Sequence, residues 1–128
     1  MKILSIITGI GYGHTTRQAA ILTGLEKEGA EIIVASYGNS LEFFKHKYKT
    51  LEIDGPQLPE KNFKFSTLRT ILINLKLPYY YINNYFKLRR LIKAFSPDLI
   101  ITDFEPIALY MGKKIPHVLI FNYDPLLY

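Results

Sequence analysis

The sequence predicts one α/β domain, built on a parallel β-sheet of about five strands with helices packed against it. Three observations lead to this fold class. The 128 residues are enough for one domain with a hydrophobic core. Short, almost wholly apolar runs recur along the chain, as is typical of strands buried on both faces. Segments with helical periodicity separate these runs, and this alternation predicts right-handed crossovers and parallel pairing.

The opening of the chain predicts a strand, a helix and a second strand. Residues 3–10 form an apolar, β-branched run that ends in glycines, and residues 31–36 form a second run of the same kind. Between them, residues 15–28 place apolar side chains at helical spacing, and Gly29 follows as a helix stop. Together these segments make a βαβ unit.

The next part of the chain predicts short elements and then a loop. Ser40 is expected to cap a helix over residues 41–47, and residues 49–53 are expected to form a third, more exposed strand. Glycine and two prolines then predict a loop over residues 54–65.

Two helices are predicted after this loop. The first covers residues 67–76 and the second residues 79–95, because Pro78 should break or kink a continuous helix. The second helix carries a broad apolar stripe that is expected to pack on the sheet. The stripe consists of Ile82, Tyr85, Phe86, Leu88, Leu91, Ile92 and Phe95.

The last part of the chain predicts a fourth strand over residues 98–104, a short helix over 106–114 and a fifth strand over 117–122. The usual order of such a doubly wound, Rossmann-like sheet is 3-2-1-4-5. Its first and fourth strands are then neighbours, and the topological switch lies between them. Ligands collect at the carboxyl ends of those two strands.

Two loops are expected to face each other at this edge: the glycine-rich turn over residues 9–14 and the segment Asp103-Phe104-Glu105. Glycine lets the backbone approach a ligand closely, and the N–H groups that open the next helix favour an anion or a polar sugar group. A tight turn without a ligand is the alternative. The candidate ligand-binding residues are Gly11, Tyr12, Gly13, Thr15 and Glu105.

Two common nucleotide motifs are excluded by spacing. A dinucleotide fingerprint reads G-x-G-x-x-G and needs an acid at the end of the second strand; here the glycines read G-x-G-x-G and that strand ends without an acid. A phosphate-binding P-loop needs Gly-Lys-Ser/Thr, and here His14 follows Gly13.

His14 is the first candidate for catalysis. A histidine can act as a general base at neutral pH when a carboxylate fixes its tautomer, and Asp103 at the end of the neighbouring strand is the best-placed carboxylate. The alternative is that Asp103 caps the helix beginning at Pro106 while His14 bonds within its own loop. His46 and His117 are expected to be structural.

Charge and composition narrow the possible partners. The net charge is +5, and the eight Lys and Arg residues between positions 61 and 97 are accompanied by no Asp or Glu. The partner could be a nucleic acid, a membrane surface or a phosphorylated ligand, or the cations could form a solvated helix face. The chain has no cysteine, which excludes disulfides and thiolate metal sites.

These motifs carry a family resemblance. Residues 2–36 resemble the opening of GT-B glycosyltransferases of the MurG and UDP-glucuronosyltransferase type, whose first strand ends in a glycine-rich loop closed by Gly-His. Residues 97–122 resemble the fourth-strand region of the same enzymes, most closely a teichoic-acid-related group. The domain is thus similar to the N-terminal, acceptor-binding half of a GT-B architecture.

The resemblance implies that a sugar is transferred from a nucleotide-activated donor to an acceptor hydroxyl, which could be lipid-linked. It gives His14 the role of base and Asp103 the role of orienting it, and it places Gly11 and Gly13 beside the donor diphosphate. The nucleotide sugar is a substrate, so no cofactor and no metal are expected.

The resemblance also implies a partner. Donor nucleotides in this family are held chiefly by a second Rossmann domain, for which residues 1–128 leave no room. We therefore expect either a fragment or a short subunit that docks a donor-binding domain in trans, and we expect the chain alone to be inactive.

MurG-type enzymes bind the membrane through an apolar and basic patch on this half. The corresponding candidates here are Tyr79, Tyr80, Arg89 and Arg90. No signal peptide or spanning segment is predicted, so a cytoplasmic protein, peripheral on the inner face of the membrane, is expected. The alternative functions are a non-catalytic module that binds an anionic ligand or, less favoured, nucleic acid, and half of a sugar-nucleotide epimerase.

Overall fold

A five-stranded parallel sheet forms the centre of the computed structural model, which describes residues 1–57 and 67–120. The sheet order is β3-β2-β1-β4-β5, which confirms the predicted fold class, strand number and order. Parts of the predicted loop and of the predicted fifth strand lie outside the described residues. The strands are β1 (Lys2–Ile7), β2 (Glu31–Ser36), β3 (Lys49–Glu52), β4 (Leu99–Asp103) and β5 (His117–Ile120).

Helices cover both faces of this sheet. The described helices are α1 (Tyr12–Lys27), α2 (Gly38–Phe44), α3 (Thr67–Ile73), α4 (Leu77–Phe95) and a 3₁₀ helix (Pro106–Tyr110). The predicted helix over residues 106–114 was wrong in type and length, since only five residues form a 3₁₀ turn. Helix α1 begins three residues earlier than predicted, because Gly11 takes a left-handed φ of 75° and ends the turn there.

The two faces of β1 build two separate apolar layers, because successive side chains of a strand point in opposite directions. Leu4 and Ile6 pack with Leu88 of α4 on one face. Ile3 and Ile7 pack with Leu22 of α1 on the other face. All six side chains are fully buried, and burial of each stabilises the fold by about 1.5–3 kcal/mol.

Helix α4 divides its apolar side chains between the sheet and the surface. The predicted break is confirmed, because α3 ends at Ile73 and α4 begins at Leu77. Pro78 lies in the first turn of α4, where its missing backbone N–H removes no helical hydrogen bond. Leu88 and Phe95 are buried, whereas Ile82 and Phe86 are 60% and 54% exposed. The prediction that the whole stripe packs on the sheet was therefore wrong, since the stripe is too wide for one contact face.

Ser40 lies inside α2 and does not cap it. The helix begins at Gly38, and Ser40 turns inward instead: its hydroxyl donates to the Thr8 carbonyl at 2.8 Å. The Thr15 hydroxyl lies 2.7 Å from Ser40 Oγ. These buried bonds tie the ends of β1 and β2 to the start of α1, and so fix the loop that follows β1.

Candidate active site

The carboxyl ends of β1 and β4 lie side by side, as the predicted strand order requires. Ile7 pairs with Asp103 in the sheet, and the Thr8 N–H donates to the Asp103 carbonyl at 3.0 Å. The chain then turns through Gly9 into α1, so the first turn of that helix stands over the end of β4.

Glycine is required at two positions of the turn for different reasons. A Cβ on Gly9 would lie 2.0 Å from the Tyr37 carbonyl oxygen, so this position permits no side chain. Gly11 has open space around it but a left-handed φ of 75°, which other residues rarely adopt. Gly13 already belongs to α1, and the glycine turn is therefore shorter than the predicted residues 9–14.

His14 and Asp103 meet, as the sequence predicts. His14 Nδ1 lies 2.6 Å from Asp103 Oδ1, and the Asp103 side chain is completely buried. An ionised carboxylate only accepts hydrogen bonds, so Nδ1 carries the proton and Nε2 is left as an acceptor. The alternative in which Asp103 caps the following helix does not hold, because no side chain caps that helix.

Two further residues of α1 hold the Asp103 carboxylate. Arg17 donates to both oxygens, from Nη2 to Oδ1 at 2.6 Å and from Nε to Oδ2 at 3.1 Å. The buried Gln18 amide donates to Oδ2 at 3.1 Å and is itself linked to Ser5. Sequence reasoning missed both residues. Their positions three and four residues after His14 put all three side chains on one helix face, and this spacing was the available clue.

Phe104 lies between Asp103 and Glu105 and lines a cavity beside His14. It has a left-handed φ of 55° and is 54% exposed, and its ring stacks on the His14 imidazole with centroids 5.6 Å apart. This conformation costs a non-glycine residue free energy, and residues that adopt it are concentrated at functional sites. Here the turn places Asp103 behind His14 and Glu105 beside the cavity.

The cavity next to His14 has a volume of about 320 Å³ and an apolar wall. Apart from His14 and Glu105, its walls come from aliphatic, aromatic, proline and threonine side chains. Those residues are Thr8, Ile10, Tyr37, Pro56, Tyr81, Thr102, Phe104, Pro106, Leu109, Leu119 and Ile120.

Burial shifts two ionisable groups of this wall. Removal of the Glu105 carboxyl from water raises its pKa to about 7, although the Ile107 N–H that donates to it acts in the opposite direction. Burial likewise raises the pKa of Tyr37 to about 12, against the hydrogen bond between its hydroxyl and Thr8 Oγ1 at 2.9 Å. A pKa near neutrality in a cleft is typical of functional carboxyls.

A second, more polar cavity of about 490 Å³ lies on the other side of the glycine turn. Gly11, Asn39 and Gln57 border it, together with the Tyr37 ring that walls both cavities. Sequence reasoning missed Tyr37, although it follows the carboxyl end of β2 and hence adjoins the predicted site.

The remaining candidate ligand-binding residues separate into two groups. Gly11, Tyr12 and Gly13 are exposed at the start of α1, where backbone N–H groups are available to a ligand. Thr15 is fully buried and its hydroxyl contacts Ser40, so it supports the turn from behind. Glu105 lines the apolar cavity, as described above.

The candidate membrane patch is also divided by the structure. Tyr79, Arg89 and Arg90 are exposed on one face of α4, whereas Tyr80 is half-buried and borders the polar cavity. Within residues 1–57 and 67–120, no helix is both long and apolar enough to cross a membrane, and no three His, Cys, Asp or Glu side chains are grouped for metal binding.

The fold matches that of GT-B glycosyltransferases. MurG of Acinetobacter baumannii superposes with a TM-score of 0.64 at 18% identity, over 92% of this chain and 34% of that one. At this identity the likeness shows a shared fold.

Sequence comparison shows the family. The chain belongs to glycosyl transferase family 1, whose sequence model matches residues 1–126. Uncharacterized glycosyltransferases of Methanosarcina acetivorans and Methanosarcina mazei are 32% and 34% identical to it, each over 95% of this chain. The chain spans about a third of the length of these relatives, 33% in both cases.

Proposed function

We propose that this domain binds and activates the acceptor in a glycosyltransferase that uses a nucleotide-activated sugar. His14 Nε2 takes the proton of the acceptor hydroxyl while the acceptor oxygen bonds to the anomeric carbon of the sugar. The bond from that carbon to the diphosphate breaks, and the nucleoside diphosphate leaves with the electron pair. The 2.6 Å contact between His14 and Asp103 is the observation that carries this proposal.

The polar network favours His14 as the base. Asp103 holds the Nδ1 proton and so fixes the tautomer in which Nε2 can accept. Arg17 and Gln18 hold the carboxylate in place, and Phe104 stacks on the imidazole. Because the held carboxylate and the stacked Phe104 ring together restrict the imidazole, little reorganisation is needed when the proton moves.

The apolar cavity and the start of α1 suggest where the substrates bind. The apolar cavity beside His14 fits the acceptor, and the exposed N–H groups at the start of α1 suit the donor diphosphate. We propose that a donor-binding domain, in the same protein or in a partner subunit, closes the site from the other side. The span of this chain, about a third of its relatives, supports that arrangement.

The histidine substitution tests this mechanism in the protein assembled with its donor-binding domain. We expect His14→Ala to lower kcat by about 10²- to 10⁴-fold, the usual contribution of a general base. His46→Ala is the matched control, since His46 is exposed in the turn after α2 and its loss should leave kcat unchanged. Full activity of His14→Ala would refute the mechanism. Residues 1–128 alone are expected to show no transfer, measured by release of nucleoside diphosphate.

We also propose that α3 and α4 dock on an anionic membrane surface. Seven large apolar side chains of these helices and their connection are more than half exposed. Arg89, Arg90 and Lys93 continue the same face of α4, so apolar and cationic groups lie together. The apolar residues are Leu68, Ile71, Leu72, Leu75, Tyr79, Ile82 and Phe86.

Liposome co-sedimentation tests the docking proposal. The chain should bind vesicles that contain phosphatidylserine, and Arg89→Glu with Arg90→Glu should release it, because each cation near the surface contributes about 1 kcal/mol. Lys27→Glu with Lys49→Glu makes the same charge change on exposed residues away from this face and should leave binding nearly unchanged. Equal loss in both double variants would show only a general charge effect and would contradict a docking face on α4.

A further inference from the structure

Glu105 is a carboxyl placed in an otherwise apolar cavity. Its side chain is almost fully buried, at 4% exposure, and it borders the same cavity as His14. Neither Lys nor Arg lines this cavity within the described part of the chain. A carboxylate in such a place lacks both water and a counter-charge, so its ionised form is poorly solvated.

The hydrogen bonds of Glu105 do not compensate for this burial. The Ile107 N–H donates to the carboxyl, but no Lys, Arg or His among residues 1–57 and 67–120 forms an ion pair with it. Its pKa of about 7 follows from loss of water. The carboxyl therefore changes charge within the physiological range, beside the position proposed for the acceptor hydroxyl.

We propose that Glu105 selects the acceptor by charge: the group that enters the cavity beside His14 is neutral, and an anionic group is excluded while Glu105 is ionised. This proposal rests on the assignment of the cavity to the acceptor. Two negative charges a few ångströms apart in an apolar cavity repel strongly, because little water screens them. A phosphate or carboxylate on the acceptor must then lie outside the cavity.

Four other titratable groups surround Glu105. His14 on α1, Tyr37 after β2 and Tyr81 on α4 line the same cavity, and Asp103 lies behind His14, bound to Arg17. The tyrosines stay neutral at physiological pH, since burial raises the pKa of both. His14 is a further titratable side chain of the same cavity, so a test must separate its effect from that of Glu105.

Two ring compounds of the same shape provide this test. β-Naphthol is neutral and β-naphthoate is anionic across the relevant pH range, and a two-ring compound fits a cavity of about 320 Å³. Binding of each probe to the purified chain is measured by fluorescence at about pH 6 and about pH 8. Because the Glu105 pKa is about 7, we expect naphthoate affinity to fall about tenfold between these values while naphthol affinity stays constant.

Two variants assign the pH effect. Glu105→Gln keeps the shape and the bond from Ile107 but cannot ionise, so its naphthoate affinity should lose most of the pH dependence. His14→Gln keeps Glu105 and should retain about the tenfold fall. Circular dichroism of each variant shows whether the fold is intact, and the comparison of the two probes on the unsubstituted chain tests the proposal without any variant.

Each failure has a distinct meaning. If neither probe binds, the cavity is not the acceptor site, and both the site assignment and the selection by Glu105 are overturned. If both probes bind and naphthoate affinity does not change between these pH values, or changes equally in Glu105→Gln, selection by Glu105 is overturned while the proposed role of His14 stands. A pH effect that disappears only in His14→Gln assigns it to the histidine and also overturns the proposal.

Discussion

The two carboxyls that flank Phe104 are both buried, but their surroundings are opposite in character. On the α1 side, Asp103 accepts hydrogen bonds from His14, Arg17 and Gln18 and is completely buried. On the cavity side, Glu105 is nearly as buried but has an apolar surrounding and no cationic partner among the described residues.

This difference separates a fixed charge from a variable one. A buried carboxylate that accepts several charged or polar donors is held in place, which suits a residue that must orient a histidine. A buried carboxyl without such donors prefers to be neutral, which suits a residue that meets a ligand. At this edge of the sheet, Asp103, which contacts His14, and Glu105, which lines the cavity, are thus only two residues apart.

The largest effect is expected from removal of the fixed charge. Asp103→Ala removes the carboxylate that accepts from the Arg17 guanidinium and the buried Gln18 amide, so we expect the free energy of unfolding to fall by about 3–5 kcal/mol. Urea denaturation measures this loss. Asp98→Ala is the control, since Asp98 is exposed and accepts from the Lys2 N–H, and it should cost about 1 kcal/mol or less. Equal losses in the two variants would contradict a special role for the Asp103 network.

Removal of the variable charge, that of Glu105, is expected to change the free energy of unfolding in the opposite direction. The pKa of Glu105 lies near 7 in the fold and at 4.5 without burial, so its penalty is absent below about pH 4.5 and complete above about pH 7. Glu105→Gln removes this penalty and should raise stability at about pH 8 by roughly 3 kcal/mol, with little change at about pH 4.5. Urea denaturation at both pH values measures it. A Glu105→Gln protein that is less stable at about pH 8 would show that the carboxylate is well solvated after all.

Much of this arrangement could be predicted from local patterns. The bounds of β2 and the strand order agree with the prediction, because continuous apolar runs and their alternation with helices are properties of the sequence itself. The contact between His14 and Asp103 followed from the order alone, since adjacent parallel strands end at the same edge.

The remaining site residues depend on backbone details that the pattern does not contain. Arg17 and Gln18 reach Asp103 because α1 begins at Tyr12, and that start depends on the left-handed φ of Gly11. Tyr37 forms part of the cavity wall because β1 and β2 are neighbours in the sheet, although Tyr37 and the glycine turn are far apart in the sequence. The exposure of Ile82 was missed because periodicity identifies an apolar stripe without showing how much of it the sheet covers.

An intermediate effect on stability is expected at the glycine turn, where its cause is a steric clash and not the loss of a charge. Gly9→Ala would bring a Cβ to 2.0 Å from the Tyr37 carbonyl, so the turn must shift and stability should fall by about 1–3 kcal/mol. Gly13→Ala is the matched control, because a Cβ there meets nothing within 4 Å and alanine favours the helix by up to about 1 kcal/mol. Thermal denaturation distinguishes them, and a Gly9→Ala protein as stable as Gly13→Ala would contradict the close approach of the two loops.

The smallest effect is expected on the apolar side of the turn, at the bond between Tyr37 and Thr8. Tyr37→Phe removes a neutral hydrogen bond of 2.9 Å and leaves the buried Thr8 hydroxyl without it, which should cost about 1 kcal/mol. The ring itself stays, so the wall shared by the two cavities should persist; Tyr37→Ala should cost several times more, about 3–5 kcal/mol. Urea denaturation of both variants measures the ratio. If Tyr37→Phe costs as much as Asp103→Ala, a neutral bond matters here as much as a charged network, and the contrast between the two sides of Phe104 does not extend to their energetics.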